Sequence, residues 1–238
     1  MPNLVVDIGN TALKAAWADG VTLGKTYRYQ GERMIDFILS LTVKDRPDIL
    51  VVASVREISG QDEIRLGAVC STLVLVDPRN RNVYTSRDIP SYLSPDRFAS
   101  IMAVRYLFKG RGCTVFDFGT TLTIDFIDAS GKYSGGNISP GCRTRFKSLN
   151  RYSRTLPLLD TPDSVEELGT SLVSSVESGV ISGIIFELQG YFAVNPENIV
   201  VFTGGDAIYF AKRVKNAIFV VCNLVLMGLA IVADEYVE

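Results

Sequence analysis

The chain has 238 residues, 47% hydrophobic and 21% charged, so it can bury a substantial core as one large or two small domains and is too apolar to remain disordered. Its formal charge of -2 excludes a nucleic-acid binder that relies on a general basic excess. Histidine is absent, which removes the commonest general base and metal ligand and leaves catalysis to carboxylates, Lys, Tyr, Cys or bound ions.

The first strand is expected over Leu4 to Asp7, and after a turn at Gly9 a second runs from Ala12 to Trp17. Asp19-Gly20 signals a hairpin into a third, Val21 to Tyr29. Met34 to Leu41 has helical apolar spacing, and Pro47 closes it. Ile49 to Ala53 is fully apolar, the pattern of a parallel strand covered on both faces. A helix through Ile64 to Ala68 and a strand from Leu73 to Val76 follow. From Asp77 to Pro95 the periodicity disappears, and a loop of that length in a compact protein is commonly functional. It leads through Asp96-Arg97 into a helix over Phe98 to Phe108.

Cys113 to Asp125 then reads as a buried strand delivering Asp117, a turn at Gly119-Thr120-Thr121, and a returning strand with Thr123 and Asp125. Gly131-Lys132 marks another hairpin, and Gly135 to Gly141 a rigid glycine-rich turn, followed by a basic segment of Arg143, Arg145, Lys147, Arg151 and Arg154. Val165 to Leu188 is expected to be largely helical. Ile199 to Phe202 is a strand delivering Thr203-Gly204-Gly205-Asp206, and the chain ends in a strand (Ile218 to Val221) and a helix (Leu224 to Ala233). The apolar stretch Ala217 to Ala233, broken by Asn223 and Gly228, reads better as buried strand and helix than as a membrane span. Met1-Pro2-Asn3 lacks the basic start of a signal peptide, and the four cysteines form no C-x-x-C pair, so reduced cytosolic thiols are expected.

The N-terminal strand and turn share the pattern of the Asp117 segment. Asp7-Ile8-Gly9-Asn10-Thr11, with Lys14 beyond, matches Asp117-Phe118-Gly119-Thr120-Thr121 some 110 positions later. Each places a carboxylate beside backbone N–H groups freed by a glycine turn, a pairing that suits phosphate when a divalent ion lies between them. One copy alone is also what an ordinary hairpin with an Asx-type turn looks like. Two copies point to a duplicated fold whose halves, residues 1–110 and 111–238, serve one phosphate site. Thr203-Gly204-Gly205-Asp206 suits close approach by a nucleotide, or is a simple turn after a strand. Asp96 is a candidate base for a hydroxyl and Arg97 a two-pronged clamp for a carboxylate, or the pair marks a helix N-terminus where an acidic residue suits the dipole. The Arg143 to Arg154 cluster reads as a solvated face.

In order and approximate spacing these motifs resemble the type III pantothenate kinases. The resemblance runs from Asp7-Ile8-Gly9-Asn10-Thr11 and Lys14 through Asp96-Arg97, Asp117 to Asp125, Gly135-Gly136-x-Ile138-x-Pro140-Gly141, Leu156-Pro157 and Thr203-Gly204-Gly205 to the tail Asn223 to Leu229. It implies an α/β fold of two tandem ribonuclease-H-like, actin-like ATPase domains with mixed sheets flanked by helices. It also implies a cytoplasmic homodimer, binding neither nucleic acid nor membrane, that phosphorylates pantothenate with ATP as the first step to coenzyme A. By resemblance Asp7, Gly9, Asn10, Thr11 and Lys14 hold ATP phosphates and Mg²⁺. Gly119, Thr120 and Thr121 make further ATP contacts, and Asp117 takes a monovalent cation, K⁺ or NH₄⁺. Asp96 is the base, while Tyr92, Arg97, Gly136 and Leu172 fall at pantothenate-contact positions. Two departures stand out: Ser94-Pro95 precede Asp96 where the family has Gly two residues before it, and Ser171-Leu172 replace its Asn-Thr. Other kinases or phosphatases of the superfamily, acting on a sugar or polyphosphate, would keep both Asp-Gly motifs, and some relatives are described as accessory factors in transcription.

Overall fold

The computed structural model describes residues 2–77 and 79–237, which divide into two units. The first comprises residues 1–110, 131–133 and 223–238, and the second residues 111–130 and 134–222.

In the first unit, β1 (Asn3–Ile8), β2 (Leu13–Asp19), β3 (Thr22–Tyr29), β4 (Ile49–Ser54) and β5 (Thr72–Val76) form a sheet in the order β3-β2-β1-β4-β5. The β1–β2 and β2–β3 pairs are antiparallel, and the β1–β4 and β4–β5 pairs parallel. One face of β1 and β4 (Leu4, Val6, Leu50, Val52) packs in a core with Met34 and Ile38 of α1 (Met34–Leu41) and Leu66 of α2 (Gly60–Gly67). The other face meets α8 (Leu224–Asp234), which also packs on α4 (Pro95–Leu107). Cover on both faces is why β4 is apolar from Ile49 to Ala53 and buried at all six positions. Where the two helices cross, a Cβ on Gly228 would run into the backbone of Ala99, so glycine sets how closely α4 and α8 approach. The C-terminal helix thus lies with the first unit although its place in the chain follows the second.

The second unit repeats the plan. β6 (Cys113–Phe118), β7 (Thr121–Ile127), β8 (Tyr133–Pro140), β9 (Ile199–Gly204) and β10 (Ile218–Val220) form a sheet in the order β10-β9-β6-β7-β8, the same path read from the other edge. β6 and β7 are antiparallel, while β6 with β9 and β9 with β10 are parallel, as in the first sheet. Phe116, Phe118 and Phe202 of the sheet meet Phe146 of α5 (Cys142–Tyr152), Phe192 of α6 (Leu172–Val194) and Phe210 of α7 (Ala207–Ala211) in an aromatic core. Edge-to-face and stacked ring pairs add to its area burial.

Three expectations needed correction. The segment after Asp77 is not wholly loop: α3 (Arg81–Thr85) forms within it, and Val83, Tyr84, Ile89 and Leu93 are buried at spacings that match no regular period. Gly135 to Pro140 is not a turn but the body of β8, an edge strand so exposed that its sequence shows no alternation. The long helix begins at Leu172 rather than Val165. Ser171 and Ser174 form a reciprocal capping box there, and the preceding residues fold back along the helix, where the Ser178 hydroxyl donates to Glu166 O at 2.8 Å.

Ala217 to Ala233 divides between β10 and the 11-residue α8. Among the described residues one helix, the 23-residue α6, is long and apolar enough to cross a membrane by length and composition. Its Val176, Val180, Ile181, Ile184 and Leu188 belong to the second core.

Candidate active site

The two loops that the repeat predicts are built alike, one in each unit. At the end of β1, the Gly9 N–H donates to Ala12 O at 3.0 Å and closes the turn, and Asp7 stands opposite Lys14 of β2 in register. Cross-strand neighbours of opposite charge share one face of the sheet, so Lys14 lies beside Asp7. The parallel neighbour β4 supports the loop from the other side. Val55 N–H donates to Ile8 O at 3.1 Å, and the Arg56 guanidinium donates to Asn10 O at 2.5 Å. Arg56 is itself tied down, because its N–H donates to the Ser54 hydroxyl, which donates back to Arg56 O. Asn10 and Thr11 are exposed at the tip.

At the end of β6, Gly119 N–H donates to Thr121 O at 3.0 Å. This turn has three residues between the paired Phe118 and Leu122, against four between Ile8 and Leu13. Asp117 pairs with Thr123 of β7 and Thr203 of β9, so two buried hydroxyl residues flank it on the face opposite the aromatic core. The parallel neighbour again caps the loop: Gly205 N–H donates to Phe118 O at 2.8 Å, the counterpart of Val55 on Ile8. The Thr120 carbonyl accepts both the Gly141 N–H at 3.1 Å and the Thr144 hydroxyl at 2.6 Å, which anchors the exposed Thr120 and Thr121 against the start of α5. Gly204 has φ of +91°, and a Cβ there would collide with the Asp117 carboxylate and the Phe118 backbone. Asp206, half-buried two residues on, has its carboxyl pushed up by burial, with the Arg143 charge opposing.

Asp96 and Arg97 open α4. Ser94 takes the extended cap conformation and Pro95 the first helical position, so the departure at Ser94-Pro95 is accommodated by ordinary helix-start geometry. Asp96 Oδ1 accepts the Arg97 N–H at 3.0 Å. The Arg97 side chain is only 7% exposed, and its Nη2 donates to the Tyr133 hydroxyl at 2.9 Å. Tyr84, fully buried against Phe98 with ring centroids 4.6 Å apart, has its phenol pushed far up by burial and by the charges of Asp77 and Asp96.

The remaining expected contacts are spread out. Tyr92 is 73% exposed in the first unit, and Gly136 is exposed on the edge strand β8. Leu172 lines a cleft of about 630 Å³ in the second unit with Arg145, Leu149, Leu156, Val176 and Val180, and Gly136 is not part of its lining. Arg145, read as part of a solvated cluster, is an exception within it: its guanidinium donates to Pro140 O, Ser139 Oγ and Glu187. Arg143 fits the solvated reading, 3.6 Å from Asp160 with both side chains exposed. Arg56, Thr144 and Tyr133 were not singled out by the sequence; the only signal for Arg56 is its place just past a parallel strand, where ligands of open α/β sheets bind.

The donors around the first loop are carboxylate, amide and hydroxyl oxygens, the ligand set of Mg²⁺ rather than of zinc or a soft metal. The four cysteines are free thiols, three of them buried, and burial pushes Cys113 up to about 11, so it stays protonated at neutral pH.

Two equivalent mixed sheets, each carrying an Asp-Gly-Thr loop at the carboxyl end of its first strand, define an actin-like ATPase and sugar-kinase fold. Solved structures bear this out. The Campylobacter jejuni protein described as a Baf family transcriptional activator is 22% identical, with TM-score 0.67 over 98% of both chains. The ROK hexokinase of Thermus thermophilus is 12% identical, with TM-score 0.58 over 100% of each. At such identities the likeness concerns the fold alone. Sequence gives the family. The profile of the type III pantothenate kinases matches residues 3–194, and the chain belongs to that family. It is 35% identical over 235 residues to the type III pantothenate kinase of Phocaeicola vulgatus, covering 95% of this chain and 96% of the other. It is 33% identical over 241 residues to that of Flavobacterium johnsoniae, covering 95% of both.

Proposed function

We propose that the protein transfers the γ-phosphoryl group of ATP to the primary hydroxyl of pantothenate, forming 4'-phosphopantothenate, the first step of coenzyme A synthesis. The observation that carries this reading is the pair of equivalent loops at Asp7 and Asp117, found in a chain whose named relatives are type III pantothenate kinases. In this reading the segment before residue 111 supplies the first phosphate loop and the segment after it the second. Gly9, Asn10 and Thr11 offer N–H and side-chain donors to the phosphates, with Lys14 adding positive charge. Gly119, Thr120 and Thr121 do the same from the second loop, which the Gly141 and Thr144 bonds hold in place. Asp7 would hold Mg²⁺, which would supply charge neutralisation for the phosphoryl group in transfer.

Asp96 accepts the proton of the attacking hydroxyl, and Arg97 meets the pantothenate carboxylate. A guanidinium has five N–H donors, so its bond to Tyr133 is compatible with a second acceptor. Tyr92, Gly136 and Leu172 contribute the remaining pantothenate contacts. Most of the acceleration in such a site comes from alignment and charge neutralisation rather than covalent chemistry.

Three finer assignments belong to the same proposal. The enzyme works in the cytoplasm, as the free thiols and the need for ATP suggest. It works as a homodimer, in which a second copy covers the exposed apolar side chains Leu149, Tyr152 and Val173 beside the α5–α6 cleft. Asp117, flanked by Thr123 and Thr203, holds K⁺ or NH₄⁺ near the ATP phosphates. This last point is tested by comparing rates in K⁺, NH₄⁺ and Na⁺ for the wild type and Asp117→Asn. The wild type should run faster in K⁺ or NH₄⁺ than in Na⁺, and the variant should lose the difference. A wild type indifferent to the ion would remove Asp117 from that role.

A further inference from the structure

We propose that Tyr133 is a positioning residue for substrate binding, holding the Arg97 guanidinium in the orientation that receives the pantothenate carboxylate; the proposal rests on the role given to Arg97 above. Arg97 and Tyr133 are 7% and 8% exposed, and Nη2 lies 2.9 Å from the phenol oxygen. A charged donor bonded to a neutral acceptor away from water is among the stronger hydrogen bonds a protein makes.

The chain places Tyr133 there by an unusual path. Tyr133 is the first residue of β8, whose remainder belongs to the second unit, yet residues 131–133 cluster with the first. Two arginines of α4 hold this short segment. Arg97 reaches the Tyr133 hydroxyl, and eight residues along the helix Arg105 Nε donates to Gly131 O at 2.5 Å while its aliphatic stem lies beneath Gly131. Tyr133 is therefore fixed on the same helix that carries Asp96 and Arg97.

The chemistry of the acceptor matters. A phenol is neutral, so it bonds to one N–H of the guanidinium and orients the group without adding a negative charge of its own. Holding a flexible arginine in its binding rotamer before substrate arrives lowers the ordering cost of binding. The expected signature is a change in pantothenate affinity with little change in the chemical step.

The test is a double-mutant cycle on the full-length protein with Tyr133→Phe, Arg97→Met and the pair, measuring kcat and KM for pantothenate and for ATP. Tyr133→Phe should raise pantothenate KM by about tenfold, with kcat and ATP KM within about twofold of wild type, as expected for loss of one charge-assisted bond on the binding side. In the Arg97→Met background the same change should add nothing, because Tyr133 has lost the group it acts through. Additive effects in the cycle, or an unchanged pantothenate KM in Tyr133→Phe alongside a raised one in Arg97→Met, overturn the proposal while leaving the Arg97 reading intact. An unchanged pantothenate KM in Arg97→Met overturns that reading and the proposal with it. A Tyr133→Phe enzyme that loses kcat and both affinities together marks a purely structural role and also overturns it.

Discussion

Asp96→Asn is expected to lower turnover by about 10²- to 10⁴-fold, the usual contribution of a positioned general base. The substitution is nearly isosteric, and the amide oxygen still accepts the Arg97 N–H that Asp96 Oδ1 accepts at 3.0 Å. The start of α4, with Ser94 as cap and Pro95 at the first position, should therefore be retained. Loss of one negative charge at a helix N-terminus costs only about 0.3–1 kcal/mol, too little to unfold the protein and far from enough to explain a thousandfold loss of rate. The KM for ATP should change little. With histidine absent from the chain, another group to take the proton would have to be a different carboxylate, Lys, Tyr or Cys. Steady-state ADP release at saturating substrates measures the effect, and turnover within a few-fold of wild type would take Asp96 out of the role.

The second large effect is expected at Gly204. Its φ of +91° is a conformation that costs an ordinary residue about 1–2 kcal/mol, and its Cβ position is already filled by the Asp117 carboxylate and the Phe118 backbone. Overpacking against backbone adds about 1–3 kcal/mol, so Gly204→Ala should destabilise the second unit by roughly 2–5 kcal/mol. For a chain of 238 residues that corresponds to a fall in melting temperature of about 5–20 °C. If the strain is instead relieved by moving Asp117, the ion preference of the enzyme should weaken while the first loop is untouched. Thermal unfolding together with rates in K⁺ and Na⁺ distinguishes the two responses. A variant with wild-type melting temperature and ion preference would show that Gly204 does not constrain Asp117.

Much of the fold was legible because its strands are buried on both faces or turn at glycine. Leu4 to Val6, Ile49 to Ala53 and Val115-Phe116 stand out as apolar runs, and the repeat of Asp-x-Gly-x-Thr predicts two similar loops, which the structure places one in each unit. Illegible parts had weaker physical signatures. β8 is an exposed edge strand rich in glycine, so its composition imitates a turn. The anchors Val83, Tyr84, Ile89 and Leu93 insert singly from an irregular segment and leave no period to detect. Glu166, Glu167 and Leu168 are good helix formers but precede a capping box that fixes the helix start by local hydrogen bonds. The return of α8 to the first unit depends on packing against α4 and β1, partners far away in the chain.

The candidate site divides along the same line. Asp7, Lys14, Asp117, Gly119 and Asp96 could be named because carboxylates and glycines at strand ends and helix starts are visible locally. The side chains that brace them were not. Arg56 reaches the Asn10 carbonyl from the next parallel strand, Thr144 reaches the Thr120 carbonyl from α5, and Tyr133 meets Arg97 from a hairpin 36 residues downstream. Such bonds are products of topology, and no spacing within one segment encodes them.

The central claim is tested most directly by ADP release from purified protein given ATP and Mg²⁺, with and without pantothenate, in K⁺ buffer. The account predicts release that depends on pantothenate and matches, mole for mole, the 4'-phosphopantothenate formed. ADP release that is absent, or that proceeds equally without pantothenate, would contradict it.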